Sequence, residues 1–185
     1  MNDMAAQRER SDKIFCNYIC PVLRGVREKI ANDLPSFVIN RAATPREDLI
    51  YKYDFVNENG LRLAVRVQDN PKYAHYETIT LRDTERNYFE TRDPVFGHAD
   101  WYVHAYVQIE QCKTHIFCIS VQTMAQILYD RDYDQLTNTQ DKKQFIVIDG
   151  KLADYRIGWQ HDLKRRVATK ISVKRRQVMD RTRTT

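Results

Sequence analysis

The sequence LIYKYDFVNENGLRLAVRV at residues 49–67 contains the clearest hairpin pattern in the chain. Apolar and polar residues alternate over Leu49–Val56 and again over Leu61–Val67, as they do in strands with one buried face. The connecting Asn57–Gly60 ends in Asn-Gly, a dipeptide that favours a tight hairpin turn. We therefore predict an antiparallel hairpin with strands at 49–56 and 61–68.

A long helix is predicted before the hairpin, from about residue 4 to about residue 32. Its apolar residues recur every four positions and form one stripe of an amphipathic helix: Ile14, Tyr18, Val22, Val26 and Ile30. Pro21 lacks a backbone N–H, so it should kink this helix or divide it into two. We expect the apolar stripe to pack on the sheet that contains the hairpin.

The rest of the chain combines strand patterns with one further helix. Strands are predicted at Tyr76–Leu81, Trp101–Ile109, Thr114–Val121 and Gln144–Ile148, a helix at Val121–Tyr129, and a weakly helical or irregular segment at Thr84–Thr91. This order of elements predicts an α/β (α+β) fold in which helices flank a mixed β-sheet.

The composition is that of a globular protein, with 30% charged and 42% apolar residues among 185. This length favours a single domain, which we assign to residues 1–161. The chain has no apolar run of about 18 residues, and it begins with a charged segment, so we expect no membrane partner. Four cysteines lie in apolar sequence and indicate buried thiols in a reducing, cytoplasmic compartment: Cys16, Cys20, Cys112 and Cys118.

Positive charge is concentrated at the carboxyl end of the chain. The net charge is +5, and Asp162–Thr185 alone holds nine Lys and Arg against two Asp. We predict a basic tail or helix over 162–185, in which four residues form a loose apolar stripe: Leu163, Val167, Ile171 and Val178. Such a segment either contacts nucleic acid or an acidic protein surface, or it stays solvated.

Four segments occur in an order that is typical of a known superfamily. They are the strand end Tyr53–Phe55, the return strand Ala64–Gln68, the third strand Tyr76–Thr80, and the strand start Gly97–Tyr102 with the sequence GHADWY. Together with the leading helix, they make roughly residues 10–130 resemble the PD-(D/E)XK nuclease superfamily. The resemblance implies a restriction-endonuclease-like core and Mg²⁺-dependent cleavage of nucleic acid.

In that superfamily an Asp and, on the next strand, a Glu or Gln bind Mg²⁺, and a Lys two residues later assists the attacking water. Asp54 matches the Asp, whereas Arg66 stands at the Glu or Gln position and Gln68 at the Lys position. An Arg cannot ligate Mg²⁺, and a register in which Gln68 is the ligand places Asn70 at the Lys position. The resemblance thus implies Asp54 and Gln68 as catalytic residues, and Asp54 and Glu77 as Mg²⁺ ligands.

Other residues extend this candidate site. Acidic residues available to complete it are Glu28, Glu47, Asp48 and Glu77. Basic side chains of the hairpin and the tail are candidates for phosphate contacts: Arg66, Lys164, Arg165, Arg166, Lys170, Lys174, Arg175 and Arg176. The histidines show no HExxH spacing, so we expect those in the central strands, such as His104, to be core residues.

Two functions remain open from the sequence. The first is a nucleic-acid-binding protein on a nuclease-like scaffold, with cleavage if the divergent site holds Mg²⁺. The second is a non-catalytic interaction protein, such as a phage or mobile-element factor, that binds a nucleic acid or a protein partner. The feature that separates them is whether Asp54 has a second carboxylate close enough to share a metal ion.

Overall fold

The computed structural model describes residues 2–51, 53–70, 73, 77–83, 99–108, 113–137, 139, 144–162 and 167–176. Features of the sequence that lie outside these ranges include the segment Thr84–Thr91, Gly97 and His98 of the strand start GHADWY, Cys112, the basic group Lys164–Arg166, and Leu163 and Val178 of the tail stripe. No helix in the described part of the chain is long and apolar enough to cross a membrane.

The amino-terminal helix is present and is divided near Pro21. It consists of α1 (Asn2–Ile14), a π-helical turn (Phe15–Ile19) and α2 (Cys20–Lys29). Pro21 has no N–H to donate to the preceding turn. The turn just before it is widened, and the Cys20 N–H donates to the carbonyl of Phe15, five residues earlier. The regular α-helical pattern is therefore interrupted just before Pro21, and the helix continues through it.

Ten strands form two sheets in the described residues. Their bounds are β1 Ile39–Ala42, β2 Phe55–Asn57, β3 Arg62–Gln68, β4 Thr78–Asp83, β5 Trp101–Gln108, β6 Lys113–Ser120, β7 Asp134–Thr137, β8 Gln144–Asp149, β9 Tyr155–Asp162 and β10 Val167–Arg175. The large sheet has the order β1-β2-β3-β5-β6-β9-β10, and the small sheet the order β4-β8-β7. Because β3 and β5 are parallel and the other neighbours are antiparallel, the large sheet is mixed, as predicted.

Two apolar cores lie on the two faces of the large sheet. On one face α1, the π-helical turn and α2 pack against residues such as Val103 and Ile157. On the other face the small sheet and α4 (Val121–Asp130) pack against residues such as Tyr106 and Phe117. The α+β class with flanking helices is confirmed, and the strand predicted at Tyr76–Leu81 belongs to the small sheet as β4.

The hairpin forms, but its first strand is shorter than predicted. Phe55 pairs with Leu63 in antiparallel register, and Gly60 has the positive φ of 79° that its turn requires. The strand prediction is wrong for Leu49–Tyr51, because Pro45–Tyr51 is a helix, α3.

A capping box explains the start of α3. The Thr44 hydroxyl accepts the Glu47 N–H at 3.2 Å, and the Glu47 carboxylate accepts the Thr44 N–H at 2.8 Å. Pro45 occupies the first helical position, where its fixed φ is favourable and its missing N–H costs nothing. This local signal overrides the alternation that continues into residues 49–51.

The carboxyl-terminal segment is also corrected. Val167–Arg175 is a strand, β10, and not part of a tail or helix, and it pairs with β9 in the large sheet. Every second residue from Val167 to Val173 is β-branched, which favours a strand. Val173 packs against the core beneath the helices, so this part of the basic segment belongs to the fold.

Candidate functional site

Asp54 is fixed at the point where β2 begins. Its N–H donates to the Leu63 carbonyl at 2.8 Å, and its Oδ2 accepts the Val65 N–H at 2.7 Å. β2 is short and pairs with only the first residues of β3. The Asp54 side chain accepts the next backbone N–H of β3 in place of a neighbouring strand. The backbone of β3 thus holds the carboxylate through Oδ2, and Oδ1 takes no part in this pairing.

Two further carboxylates and one guanidinium surround Asp54. Arg8 of α1 donates through Nη1 to Asp48 of α3, and its Nη2 lies 3.5 Å from Asp54 Oδ1. Asp12 follows Arg8 by one helical turn and interacts electrostatically with it. We call Asp12, Asp48 and Asp54 the carboxylate cluster, and Arg8 lies between its members.

Burial and like charge act together on the carboxylate cluster. Burial raises the pKa of Asp54 to about 7, and the charges of Asp48 and Asp12 act in the same direction. The Val65 N–H and Arg8 favour the ionised form and oppose this rise. Burial likewise raises the pKa of Asp12, while Arg8 opposes the rise. Partial burial lowers the pKa of Arg8, but the hydrogen bond and the charge of Asp48 raise it by more, so the pKa of Arg8 lies above its usual value. The cluster thus depends on a nearby cation to stay ionised.

These residues do not fit the Mg²⁺ that the resemblance implies. Mg²⁺ requires several oxygen ligands in octahedral geometry. One oxygen of Asp54 accepts a backbone N–H, and the other faces the guanidinium of Arg8. Within the described ranges, no group of three or more His, Cys, Asp or Glu is arranged to hold a metal ion.

Arg66 and Gln68 lie on the other face of β3. Val65 and Val67 pack against the core beneath the helices, so the residues that alternate with them point towards the small sheet. Arg66 Nη1 donates to the Thr80 carbonyl of β4 at 3.3 Å. The structure therefore does not bring Arg66 or Gln68 together with the helix-side carboxylate of Asp54.

Glu77 lies near the other end of the large sheet. Its carboxylate accepts from Arg156 Nη2 of β9 at 2.6 Å, and its carbonyl accepts the Gly150 N–H. Four strand spacings separate β2 from β9, which amounts to about 19 Å. Asp54 and Glu77 are thus too far apart to ligate one metal ion.

A second candidate site lies around Glu77, on the face of the large sheet opposite the helices. Register places residues of β6, β9 and β10 side by side on this face, since Phe117 pairs with Arg156 and Gly158 pairs with both His115 and Ser172. We define the basic face as Lys113, His115, Arg156, Ser172 and Lys174. The pair of Glu77 with Arg156 joins the small sheet to it.

The basic face has exposed cations near its rim. Lys113 and Lys174 are exposed, and neither forms an ion pair with another described residue. Burial lowers the pKa of His115, and Lys113 and Arg156 lower it further against Glu77. Opposite Ser172, a Cβ on Gly158 would lie 2.6 Å from the hydroxyl oxygen, so glycine leaves space for that side chain.

The remaining predicted phosphate contacts divide into three groups. Arg175 bonds Asp33 after α2 and lies 5.8 Å from the centre of the Tyr155 ring, so it helps to attach β10 to the helical layer. Lys170 lies in β10, and the Arg176 N–H donates to the Asp154 carbonyl at 2.9 Å. Lys164–Arg166 lies outside the described residues.

Sequence reasoning missed Arg8, Asp12, Lys113 and Arg156 as site residues. Only Arg156 had a local signal, because it alternates with the apolar Tyr155 and Ile157 in what proves to be β9. Arg8 lies 40 residues before Asp48, its hydrogen-bond partner. No local pattern predicts a contact over that separation.

Comparison with protein-family models, with curated proteins and with solved structures finds no match. The likeness to the PD-(D/E)XK superfamily therefore depends on the order of elements and on Asp54, and function has to be argued from the two sites themselves.

Proposed function

We propose that this protein binds nucleic acid through the basic face, on a scaffold that resembles the PD-(D/E)XK nucleases. The observation that carries the proposal is the pair of exposed lysines on one sheet face, Lys113 of β6 and Lys174 of β10, which lie on either side of β9. Lysines that neutralise phosphates release condensed counterions, and this release provides sequence-independent affinity.

The neutral groups of the basic face suit the same ligand. Ser172 is exposed on β10, the strand that carries Lys174, and its hydroxyl donates to the Gly158 carbonyl in a long bond of 3.4 Å. Side-chain hydroxyls commonly bond phosphate oxygens, so this donor suits the same ligand. His115 lies on β6, the strand that carries Lys113, and its lowered pKa keeps it a neutral hydrogen-bonding group at pH 7. Together these groups favour backbone contacts and not the reading of bases.

Binding without cleavage at Asp54 is the form of the proposal that the carboxylate cluster supports. The free oxygen of Asp54 faces Arg8, and Glu77 bonds Arg156 near the far end of the sheet. A two-carboxylate mechanism needs a metal ion to neutralise phosphate charge and to generate hydroxide. Arg66 and Gln68, which stand at the Glu or Gln and Lys positions, lie away from Asp54.

The test measures affinity for labelled single- and double-stranded DNA and RNA between 50 and 200 mM salt, a range of about fourfold. The double variant Lys113→Gln with Lys174→Gln should flatten the log–log salt slope on duplex DNA by about 1.8. The matched control is Lys13→Gln with Lys29→Gln, which removes the same charge from the helical layer. It should leave the slope unchanged.

Two results would contradict the assignment of the interface. An unchanged slope in the basic-face variant would move binding elsewhere, and equal losses in both variants would reduce the effect to net charge. A wild-type protein that binds none of the four nucleic acids would favour the protein-partner alternative.

Cleavage is tested in the same samples with Mg²⁺ or Mn²⁺. We expect the substrates to remain intact. Cleavage by the wild type that Asp54→Asn abolishes, while binding persists, would restore the endonuclease assignment and overturn the non-cleaving form of the proposal.

A further inference from the structure

The carboxylate cluster gathers acids from three separate parts of the chain around one cation. Asp12 lies on α1, Asp48 on α3, and Asp54 just before β2. The side chains of Asp48 and Asp54 are only 29% and 22% exposed, so water screens their repulsion incompletely. Such an arrangement needs a counter-charge within the protein or bound to it.

We infer that Arg8 is a built-in cation that takes the place of a metal ion in the carboxylate cluster, so that the fold is complete without a divalent cation. A guanidinium can present two nitrogens to two different carboxylates, because its donors are fixed in one plane. Nη1 of Arg8 contacts Asp48, and Nη2 faces Asp54. The other carboxylate oxygen of Asp54, Oδ2, accepts the Val65 N–H.

The role differs from that of an ordinary ion pair on the same helix. Arg10 lies two residues further along α1 and pairs with a single carboxylate, Asp69 after β3, at 2.6 Å. Loss of Arg10 leaves one isolated carboxylate. Loss of Arg8 leaves two carboxylates facing each other with Asp12 nearby, and these repel unless a cation enters or Asp54, whose pKa is already raised, takes up a proton. This difference provides a matched control.

The test compares thermal midpoints of Arg8→Met, Arg10→Met and the wild type at pH 8, with and without millimolar Mg²⁺ or Mn²⁺. Methionine keeps the length of the apolar stem and removes the charge. We expect Arg8→Met to lose about 3 °C or more and to recover most of the loss with Mn²⁺. The wild type and Arg10→Met should respond to neither metal.

A second pair of variants tests the charge argument without any metal. Asp48→Asn added to Arg8→Met removes one of the facing charges and should raise the midpoint above that of Arg8→Met. This variant also covers the case in which Arg8→Met does not fold, because recovery of folding by Asp48→Asn supports the inference, and failure to recover it overturns it.

Two other results would overturn the inference. One is Mn²⁺ uptake by the wild type that Asp54→Asn abolishes. The other is an Arg8→Met protein that is no less stable than Arg10→Met and does not respond to metal. No nucleic acid enters these measurements, so their outcome is independent of the proposed function.

Discussion

The carboxylate cluster and the basic face use charge in opposite ways within one sheet. At the cluster, Arg8 lies between Asp48 and Asp54, so this cation is paired with carboxylates inside the protein. At the basic face, Lys113 and Lys174 extend into solvent without an ion pair among the described residues. Matched charges hold elements of the fold together, whereas unmatched charges remain available to a partner.

The two regions also differ in how they are built. The cluster depends on α1 packing against β3, and therefore on the packing of the helical layer. The basic face depends only on the register of β6, β9 and β10, which backbone hydrogen bonds fix. A substitution that perturbs the helices should therefore disturb the carboxylate cluster and leave the basic face intact.

The largest expected effect comes from Phe15→Ala. Phe15 is fully buried in the π-helical turn and stacks on Phe55 of β2 with ring centres 5.1 Å apart. Its loss should lower the free energy of unfolding by about 3–5 kcal/mol in urea denaturation, because a cavity remains. Tyr18→Ala, at a 51% exposed position of the same turn, should cost much less. Equal losses would contradict the packing described for the π-helical turn.

His104 gives a smaller effect that depends on pH. Its ring is fully buried between the sheets beside Tyr102 and Tyr106, and its nitrogens have no hydrogen-bond partner among the described residues. The charge of Arg66 acts on it. Burial lowers the pKa of His104 well below its usual value. The folded state stays neutral while the unfolded state takes up a proton below pH about 6.5, so stability is present above that pH and is lost as the pH falls.

His104→Leu should remove this acid sensitivity, which amounts to at most about 1.4 kcal/mol per pH unit. Urea denaturation of both proteins from pH 7.5 to 5 measures it. Asp54 acts with the opposite sign, because its raised pKa adds stability at low pH that is lost as the pH rises through about 7. The difference between wild type and variant cancels that contribution. Parallel stability curves would contradict the assignment to His104.

Glu77→Gln tests the charge balance of the basic face. Glu77 partly neutralises Arg156, so its removal should free one more cation on the basic face and steepen the duplex salt slope by about 0.9. The fold should lose less than about 1 kcal/mol, because the Glu77 side chain is 60% exposed. If Glu77 were instead a metal ligand, the variant would lose a metal-dependent activity and gain no affinity.

The smallest expected effect is that of Glu9→Gln. Glu9 pairs with Lys13 one turn along α1, and both side chains are 68% exposed. Surface pairs of this kind contribute little, because water screens the two charges. The thermal midpoint should therefore barely change, which sets a baseline for Arg8→Met. An effect as large as that of Arg8→Met would mean that the cluster is no more than an ordinary surface pair.

The sequence by itself determined the elements whose signals are local. The apolar stripe around Val22 and the position of Pro21 predicted the divided helix, and Asn59-Gly60 predicted the hairpin turn. The β-branched and aromatic runs gave β5 and β6. In each case the pattern and the turn chemistry lie within a few residues of each other. The capping box of α3 was a local signal of the same kind, but it was overlooked.

Only the tertiary structure decided the two sites. Arg8 meets Asp48 and Asp54 because α1 packs across β3, and the choice of that packing depends on the whole apolar core. The basic face exists because β9 and β10 add to the edge of β6, although more than 30 residues, 121–154, separate β6 from β9. Charge interactions act over a few ångströms in space and carry no information about separation along the chain, so periodicity and motifs do not reveal them.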